Sequence, residues 1–332
     1  MAVEDVDARD EAAFAAWYAV LDASVAHERP GEPHWSLQEQ REIALAGLAG
    51  DEDAADEQHL LLDRDGGAAR LTLHRRDNRA VAAVLVLVHP DARRRGTGSR
   101  LLAATEQRAR AAGRTALCAE VDEPGEGAPG RAFLERHGFR CGLVEVRRDL
   151  ALPPDPERLA RLAADARAHG AGYEVRTWRD RTPDELLEDR ALVERRMSTD
   201  APVGDQPYEA EDWDPGRVRQ EEDEARRQGR TWFGAGALRQ GRLVAHTEVG
   251  VPLGAPERAY QWGTLVLREH RGHRLGALVK LAALRALMAG SPTTRSISTW
   301  NAEANRPMIA VNEALGFVEN GRLSSWHRSL PA

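Results

Sequence analysis

The sequence predicts an α/β (α+β) fold built from two tandem copies of one domain, each a mixed central sheet flanked by helices. A strand, a basic glycine-containing turn and a helix occupy residues 86–102, and the same pattern returns with Val266 aligned on Val88. Each copy then continues through a short strand and a short helix to a Gly-Phe pair, Gly138-Phe139 in one and Gly316-Phe317 in the other. An internal repeat of this length indicates a duplicated domain.

Hydrophobic spacing and turn residues predict the elements of the first copy. Apolar residues at helical spacing predict a helix over 12–27, and Ser36 with Glu39 forms a capping box for a second helix. The Asp65-Gly66-Gly67 turn predicts a hairpin. The further predicted elements are a central strand over 80–88 buried on both faces, a helix over 96–112, a strand over 115–121, a short helix and a strand ending at Leu150.

A stiff proline-rich segment, 152–156, marks the boundary between the two copies. The predicted domains are therefore 1–150 and 173–332, joined by a linker over 151–172 that contains a helix. The second copy is predicted to contain strands over 173–178, 231–239, 243–251, 259–267, 295–300 and 317–330, and helices over 184–197, 217–228, 275–288 and 306–315.

The repeated turn is a candidate diphosphate site. A helix start leaves backbone N–H groups without partners, and its dipole favours an anion. Gly96 and Gly98 permit close approach of a ligand, and Arg93 to Arg95 add positive charge. An ordinary helix start with a basic collar shows the same pattern, and neither a P-loop nor a GxGxxG motif is present.

The spacing Arg93-x-x-Gly96-x-Gly98 resembles the [QR]xxGx[GA] signature of GNAT-type N-acetyltransferases. Residues 133–139 and 311–317 resemble that family's C-terminal helix, so the resemblance covers nearly the whole chain. It implies acetyl-CoA as cofactor. In the second copy Arg274 replaces the first glycine, where it either clashes with the diphosphate or pairs with a CoA phosphate. The residues that the resemblance assigns to acetyl-CoA are Leu87, Val88, Arg93, Arg94, Arg95, Gly96, Thr97, Gly98, Ser99, Leu265, Val266, Arg271, Gly272, His273, Arg274, Leu275, Gly276, Ala277 and Asn305.

Catalysis is assigned to the second copy. In the family the general acid is often a Tyr four residues before the final glycine, where this chain has Leu134 and Asn312. In the first copy, the strand over 80–88 carries no titratable side chain. Glu248, on a strand of the second copy, is the predicted general base, directly or through water. His246, on the same strand face, and Asn312 complete the predicted catalytic set. The alternatives are an exposed position for Glu248, a structural role for His246, and a helix cap without cofactor contact for Asn305.

Composition limits the partners of this 332-residue chain. A net charge of −7 argues against a nucleic-acid partner, and two cysteines give no disulfide framework. The sequence shows no signal peptide in residues 1–10, no metal-ligand spacing and no apolar run long enough to span a membrane, so we expect a cytoplasmic protein. The expected acceptor is a small-molecule amine. A CoA-binding sensor or scaffold without catalysis, and a peptide or protein acceptor, are the alternatives. A monomer is favoured over a homodimer because tandem copies imitate a dimer.

Overall fold

The computed structural model describes residues 3–32, 35–48, 56–123, 125 and 127–330. Its backbone contacts divide the chain into two compact units. Unit 1 comprises residues 1–144, 204–209 and 323–332, and unit 2 comprises residues 145–203 and 210–322. The units differ from the predicted division at 150 and 173 because the end of each half of the chain belongs to the other unit.

Unit 1 is a mixed sheet with helices packed on it. Its sheet follows the order β1-β2-β3-β4-β5, and the strand segment 323–329 lies beside β5. The first four strands pair antiparallel, whereas β4 and β5 run parallel. Its elements in chain order are β1 (Val3–Val6), α1 (Glu11–Glu28), α2 (Leu37–Ala46), β2 (Asp56–Asp63), β3 (Gly67–His74), β4 (Val81–Val88), α3 (Thr97–Ala111), β5 (Ala116–Glu123), α4 (Pro129–Arg136) and the first residues of β6 (Arg140–Ala151).

Unit 2 repeats this architecture. Its sheet follows the order β6-β11-β10-β9-β8-β7, in which β10 and β11 are parallel. Helix α8 packs on β8 and β9 with a continuous apolar core. Its elements are α5 (Pro156–His169), β7 (Glu174–Arg179), α6 (Leu187–Asp200), α7 (Pro215–Arg227), β8 (Arg230–Arg239), β9 (Arg242–Pro252), β10 (Arg258–Val266), α8 (Leu275–Gly290), β11 (Ser296–Ala302), α9 (Arg306–Leu315) and the first residues of β12 (Val318–Ser329). The predicted mixed α/β class is confirmed in both units.

Side chains cap the N-terminal ends of the first two helices. Ser36 accepts a hydrogen bond from the backbone N–H of Glu39 at the start of α2, as predicted. Asp10 caps α1 in the same way. The four-residue strand β1 is not predicted by the sequence, because its acidic residues lack a strand pattern. It forms through antiparallel pairing with β2.

The prediction that strand 80–88 is buried on both faces is wrong for its second half. Val81, Ala82 and Val84 are buried, but residues 85–88 are only half-buried. The reason is that the neighbouring parallel strand β5 stops pairing with β4 after Ala83. This separation is the first feature of the candidate site.

Candidate active site

In both units the two parallel strands pair at one end only. In unit 1 the parallel pairing joins Val81–Ala83 with 116–118, and in unit 2 it joins Arg258–Tyr260 with 296–298. Beyond these residues the backbone groups along the opening of each strand pair are not used by the partner strand. Each opening precedes a basic turn and a helix start, so both units present the same pair of features.

The first turn has the backbone form that an anion cradle needs. Arg94 has φ +64° and Gly96 has φ +84°, and both residues are exposed. Helix α3 begins at Thr97 without a side-chain cap. Its first backbone N–H groups therefore have no side-chain acceptor, and the helix dipole makes this end attractive to a phosphate.

The second turn has the same backbone form with glycine and arginine exchanged. Gly272 has φ +87° where unit 1 has Arg94, and Arg274 has φ +56° where unit 1 has Gly96. Helix α8 also begins without a side-chain cap. The Nε of Arg274 lies 3.2 Å from the Asp165 carboxylate on α5. The side chain thus points to α5, and the substitution preserves the turn.

Arg93 fastens the first turn to the fold. Its Nε donates to the carbonyl of Val88 at 3.1 Å, and its Nη2 pairs with Glu28 at 2.8 Å. The guanidinium therefore joins the strand end, the turn and the C-terminal end of α1. Arg93 therefore contributes to an anion site indirectly, because it holds the turn whose backbone N–H groups would contact the anion.

Arg271 does the same in unit 2. Its Nε donates to the carbonyl of Val266 at 3.1 Å, and its Nη2 lies 2.7 Å from Asp200 at the end of α6. Arg268 shares that carboxylate. The hydrogen bonds with Arg268, together with the charges of both arginines, lower the pKa of Asp200 against the opposing effect of burial. Asp200, which lies beyond the predicted helix over 184–197, is the last residue of α6 and holds the second turn.

The other predicted cofactor residues surround these two turns. Ser99 is exposed and its Oγ lies 3.0 Å from Nε2 of His137, while Gly98 faces Phe133, whose ring would be 3.2 Å from an added Cβ. Of the remaining predicted residues, Arg95 and His273 are exposed in the turns. The others are buried or half-buried at a strand end or in the first turn of a helix: Leu87, Val88, Thr97, Leu265, Val266, Leu275, Gly276 and Ala277.

The two predicted asparagines differ in their surroundings. Asn305 caps α9, its Oδ1 accepting from the N–H of Met308 at 3.4 Å, and its contact with the cofactor stays a prediction. Asn312 is fully buried and its Nδ2 donates to Oδ1 of Asn301 at 2.6 Å. Its own Oδ1 is buried without a donor among the described residues.

Glu248 forms a half-buried ion pair on β9. Its Oε2 lies 2.8 Å from Arg190 on α6, and its Oε1 lies 3.4 Å from Nε2 of His246. Burial opposes its ionisation, but the charges of Arg190 and His246 outweigh burial and lower the pKa of Glu248 to about 2. A carboxylate with so low a pKa is a weak proton acceptor, so the structure does not favour Glu248 as the direct base.

The surroundings of His246 are those of a buried, packed side chain. It is 2% exposed and its ring stacks on Trp178 with centroids 5.3 Å apart. Burial, with the charge of Arg190, lowers its pKa to about 4, so the imidazole is neutral near pH 7. The two side chains lie on one strand face, as predicted, and Glu248 lines a cavity.

That cavity has a volume of about 300 Å³ and lies wholly within unit 2. Side chains of α6, α7 and strands β7 to β10 form its wall. Its lining residues are Trp178, Asp180, Arg190, Glu194, Trp213, Val218, Glu221, Glu222, Glu224, Ala225, Gln228, Arg230, Trp232, Glu248, Trp262 and Gly263. Among these only Glu248 is predicted by the sequence, although the unusual density of tryptophan in β7, β8 and β10 was an available signal.

A β-bulge directs β10 into the cavity. The register with β9 shifts between Gln261 and Thr264, so that Trp262 and Gly263 stand out of the ladder. Thr247 fixes both sides of the bulge, accepting from Gln261 Nε2 at 2.8 Å and lying 2.6 Å from Thr264 Oγ1. The strand that leads to the second turn therefore also supplies part of the cavity wall.

Both halves of the chain match acetyltransferase family models. Residues 54–141 match the acetyltransferase (GNAT) domain, and residues 195–317 match the acetyltransferase (GNAT) family. A tandem GNAT protein from the clavulanic acid biosynthesis pathway, solved without acetyl-CoA, is 31% identical, covers 100% of both chains and has a TM-score of 0.76. The chain belongs to the GNAT acetyltransferase family. Each family match contains one of the two turns, so the predicted tandem GNAT arrangement is confirmed.

More distant GNAT structures share the fold. The GCN5-related N-acetyltransferase from Sphaerobacter thermophilus is 16% identical over 99% of this chain and 95% of its own, with a TM-score of 0.65. A glucosamine N-acetyltransferase region of a fungal multi-domain β-N-acetylglucosaminidase is 12% identical over 98% of this GNAT chain and 38% of its own, with a TM-score of 0.68. No curated protein matches. Within the described residues, no helix combines the length and apolar character that crossing a lipid bilayer requires.

Proposed function

We propose that this GNAT protein is an acetyl-CoA-dependent N-acetyltransferase that acetylates the amine of a small molecule. The observation that carries the proposal is a combination of three features found in both units. These are a helix start without a side-chain cap, a turn with two residues in the left-handed backbone conformation, and a strand that separates from its parallel neighbour. The first two features suit a diphosphate, and the third leaves unpaired backbone groups for an extended ligand.

The backbone N–H groups of 94–99 and 272–277 would hold the CoA diphosphate. Acetyl-CoA supplies the acetyl group as a thioester, so an ammonium and a thioester become an amide, a thiol and one released proton. Because a thiolate is a good leaving group, Leu134 and Asn312 at the family's tyrosine position are compatible with this chemistry.

Unit 2 is the proposed catalytic unit. Its cavity brings carboxylates and aromatic rings beside β10, whereas strand β4 of unit 1 has no titratable side chain. Unit 1 would bind acetyl-CoA without catalysing its transfer. The alternative of a non-catalytic CoA-binding domain would then apply to unit 1 alone.

The test is release of CoA thiol from acetyl-CoA in the presence of a panel of diamines, arylalkylamines, aminoglycosides and amino acids. An added Cβ at Gly276 meets Val266 at 3.9 Å, an ordinary contact, so the fold accommodates Gly276→Ala. Turnover is expected to persist in Gly276→Ala and to fall sharply in Gly276→Glu, whose carboxylate repels a diphosphate. Amine-independent thiol release, or equal turnover in both variants, would contradict the proposal.

A further inference from the structure

The cavity of unit 2 has aromatic walls. Four of the eight tryptophans of the chain line it: Trp178, Trp213, Trp232 and Trp262. Trp262 is 46% exposed, and its ring meets Trp232 edge-on with centroids 5.7 Å apart. Exposed tryptophan in a concave wall is costly to leave in water, and its π face attracts cations.

The same wall is strongly acidic. Asp180, Glu194, Glu221, Glu222, Glu224 and Glu248 supply carboxyl groups, whereas the cations are Arg190 and Arg230. Arg190 is shared between Glu194 and Glu248, and the guanidinium of Arg230 lies 5.8 Å from the centre of the Trp262 ring. The excess negative charge of the wall favours a cation and opposes a carboxylate or phosphate on the ligand.

Most of these carboxylates already have partners in the protein. Glu222 accepts from the N–H of Thr182 at 2.7 Å and pairs with Arg219, and Glu224 accepts from Gln220 at 3.3 Å. The carboxylate of Glu221, on α7, makes no hydrogen bond or ion pair with any described residue. The residue is exposed overall, and its side chain lines the cavity.

The electrostatic surroundings of Glu221 also suit a base. Although Glu221 is exposed as a residue, protein atoms around its carboxylate and the negative charges of Glu224 and Glu248 raise its pKa to about 7, against the charges of Arg217 and Arg190. A base with a pKa close to the working pH is the most effective acceptor of a substrate proton. Glu248, whose pKa is far lower, lacks this property.

We infer that this cavity is the acceptor site of unit 2, that it takes a cationic amine with an apolar carbon skeleton and no carboxylate, and that Glu221 contacts the ammonium. The inference rests on the proposed acetyl transfer and names its substrate class. The ammonium donates to the Glu221 carboxylate while the carbon skeleton lies against the tryptophan rings. Glu221 then accepts one ammonium proton and leaves the nitrogen lone pair free. Of the two protons the nitrogen loses overall, one passes to solvent through Glu221 and the other ends on the CoA thiol.

Tryptophan fluorescence tests the site without acetyl-CoA, because half of the chain's indoles line it. The probes are two matched pairs, cadaverine against lysine and phenethylamine against phenylalanine, which differ only in the α-carboxylate. Each amine is expected to change the fluorescence and to bind at least ~10-fold more tightly than its amino acid. Equal affinity within both pairs, or no saturable change with either amine, would overturn the inference.

The residue test compares Glu221→Gln with Glu188→Gln, an exposed glutamate on α6 outside the cavity. Amine affinity is expected to rise between about pH 6 and about pH 8 as Glu221 ionises, and to be weak and independent of pH in Glu221→Gln. Glu188→Gln is expected to behave as the native chain. A native pH dependence retained in Glu221→Gln would exclude Glu221 as the contact.

The two proposals fail in different ways. Thiol release with amines that is unaffected by Glu221→Gln would contradict this inference and leave the acetyltransferase function standing. Saturable, Glu221-dependent amine binding with no thiol release from acetyl-CoA would support the cavity and contradict the proposed function.

Discussion

At the scale of single residues, the ion pair of Glu248 with Arg190 is a stability element. Both side chains are largely buried, 17% and 9% exposed, so removal of one charge leaves the other in a poorly solvated place. We expect Glu248→Gln to lower the free energy of unfolding by ~2 kcal/mol near neutral pH. Urea unfolding measures this, with Glu185→Gln at the exposed Arg176 pair as a control that leaves stability unchanged.

The pH dependence of that difference has a definite sign. The pKa of Glu248 is lowered from 4.5 to about 2, so the folded state favours the ionised form. Its contribution is complete above about pH 4.5 and disappears as the pH falls through about 2. The native chain and Glu248→Gln should therefore converge in stability at acid pH. A difference that stays constant from neutral to acid pH would show that lost packing, not lost charge, is responsible.

Residue roles were only partly predictable from the sequence. Glu248 and His246 share a strand face because strand side chains alternate, so their proximity follows from spacing alone. The distant Arg190, which removes the basicity of Glu248, has no signal in the sequence. Glu221 was hidden in a charged helix, where a solvated face is the ordinary interpretation, and only the packing of α7 beside β8 turns it toward a cavity.

At the scale of the element, the two basic turns show that a backbone shape can persist while its residues change. Both turns use two left-handed positions, but glycine occupies the second in unit 1 and the first in unit 2. A non-glycine residue in this conformation costs roughly 1 kcal/mol. The sequence motif requires glycine at fixed positions, so by the motif alone the second turn is imperfect. The structure shows that both turns have left-handed residues at the same two positions.

Exchange of these residues is a direct test. Arg274→Gly is expected to raise the free energy of unfolding by ~1 kcal/mol, since it relieves the backbone and loses only an exposed pair with Asp165. Gly96→Arg is expected to cost a similar amount at the corresponding position. Both variants should still bind acetyl-CoA, because the backbone N–H groups are kept. Urea unfolding and calorimetric titration measure the two properties, and abolished binding in Gly96→Arg would mean that side-chain space also matters.

At the scale of the whole molecule, the last strand residues of each half of the chain belong to the unit that their sequence position does not suggest. Trp326 is 2% exposed in the core of unit 1, with Phe139 and Leu117, although it follows the second repeat. Residues 145–151 conversely pair with β11 of unit 2. Strand patterning predicts that these segments are strands but carries no information on which sheet accepts them.

This assignment predicts where a core mutation acts. Trp326→Ala is expected to destabilise by ~4 kcal/mol, the usual cost of deleting a buried tryptophan. Hydrogen exchange followed by mass spectrometry is expected to accelerate in β5 and leave β8 unchanged. Trp300→Ala, on β11 of unit 2, should show the reverse preference. Faster exchange in β8 than in β5 after loss of Trp326 would contradict the assignment of residues 323–332 to unit 1.

The number of acetyl-CoA molecules bound is the property of the whole chain that most depends on the two turns being equivalent. If backbone shape rather than glycine count determines binding, calorimetry should find two sites per chain. Gly98→Glu and Gly276→Glu should each remove one site and leave the other, and Gly276→Ala is the matched control that keeps both. One site that survives Gly276→Glu would place acetyl-CoA in unit 1 alone. Catalysis in unit 2 would then lack its acetyl donor, and the cavity of unit 2 would be a binding site for amines only.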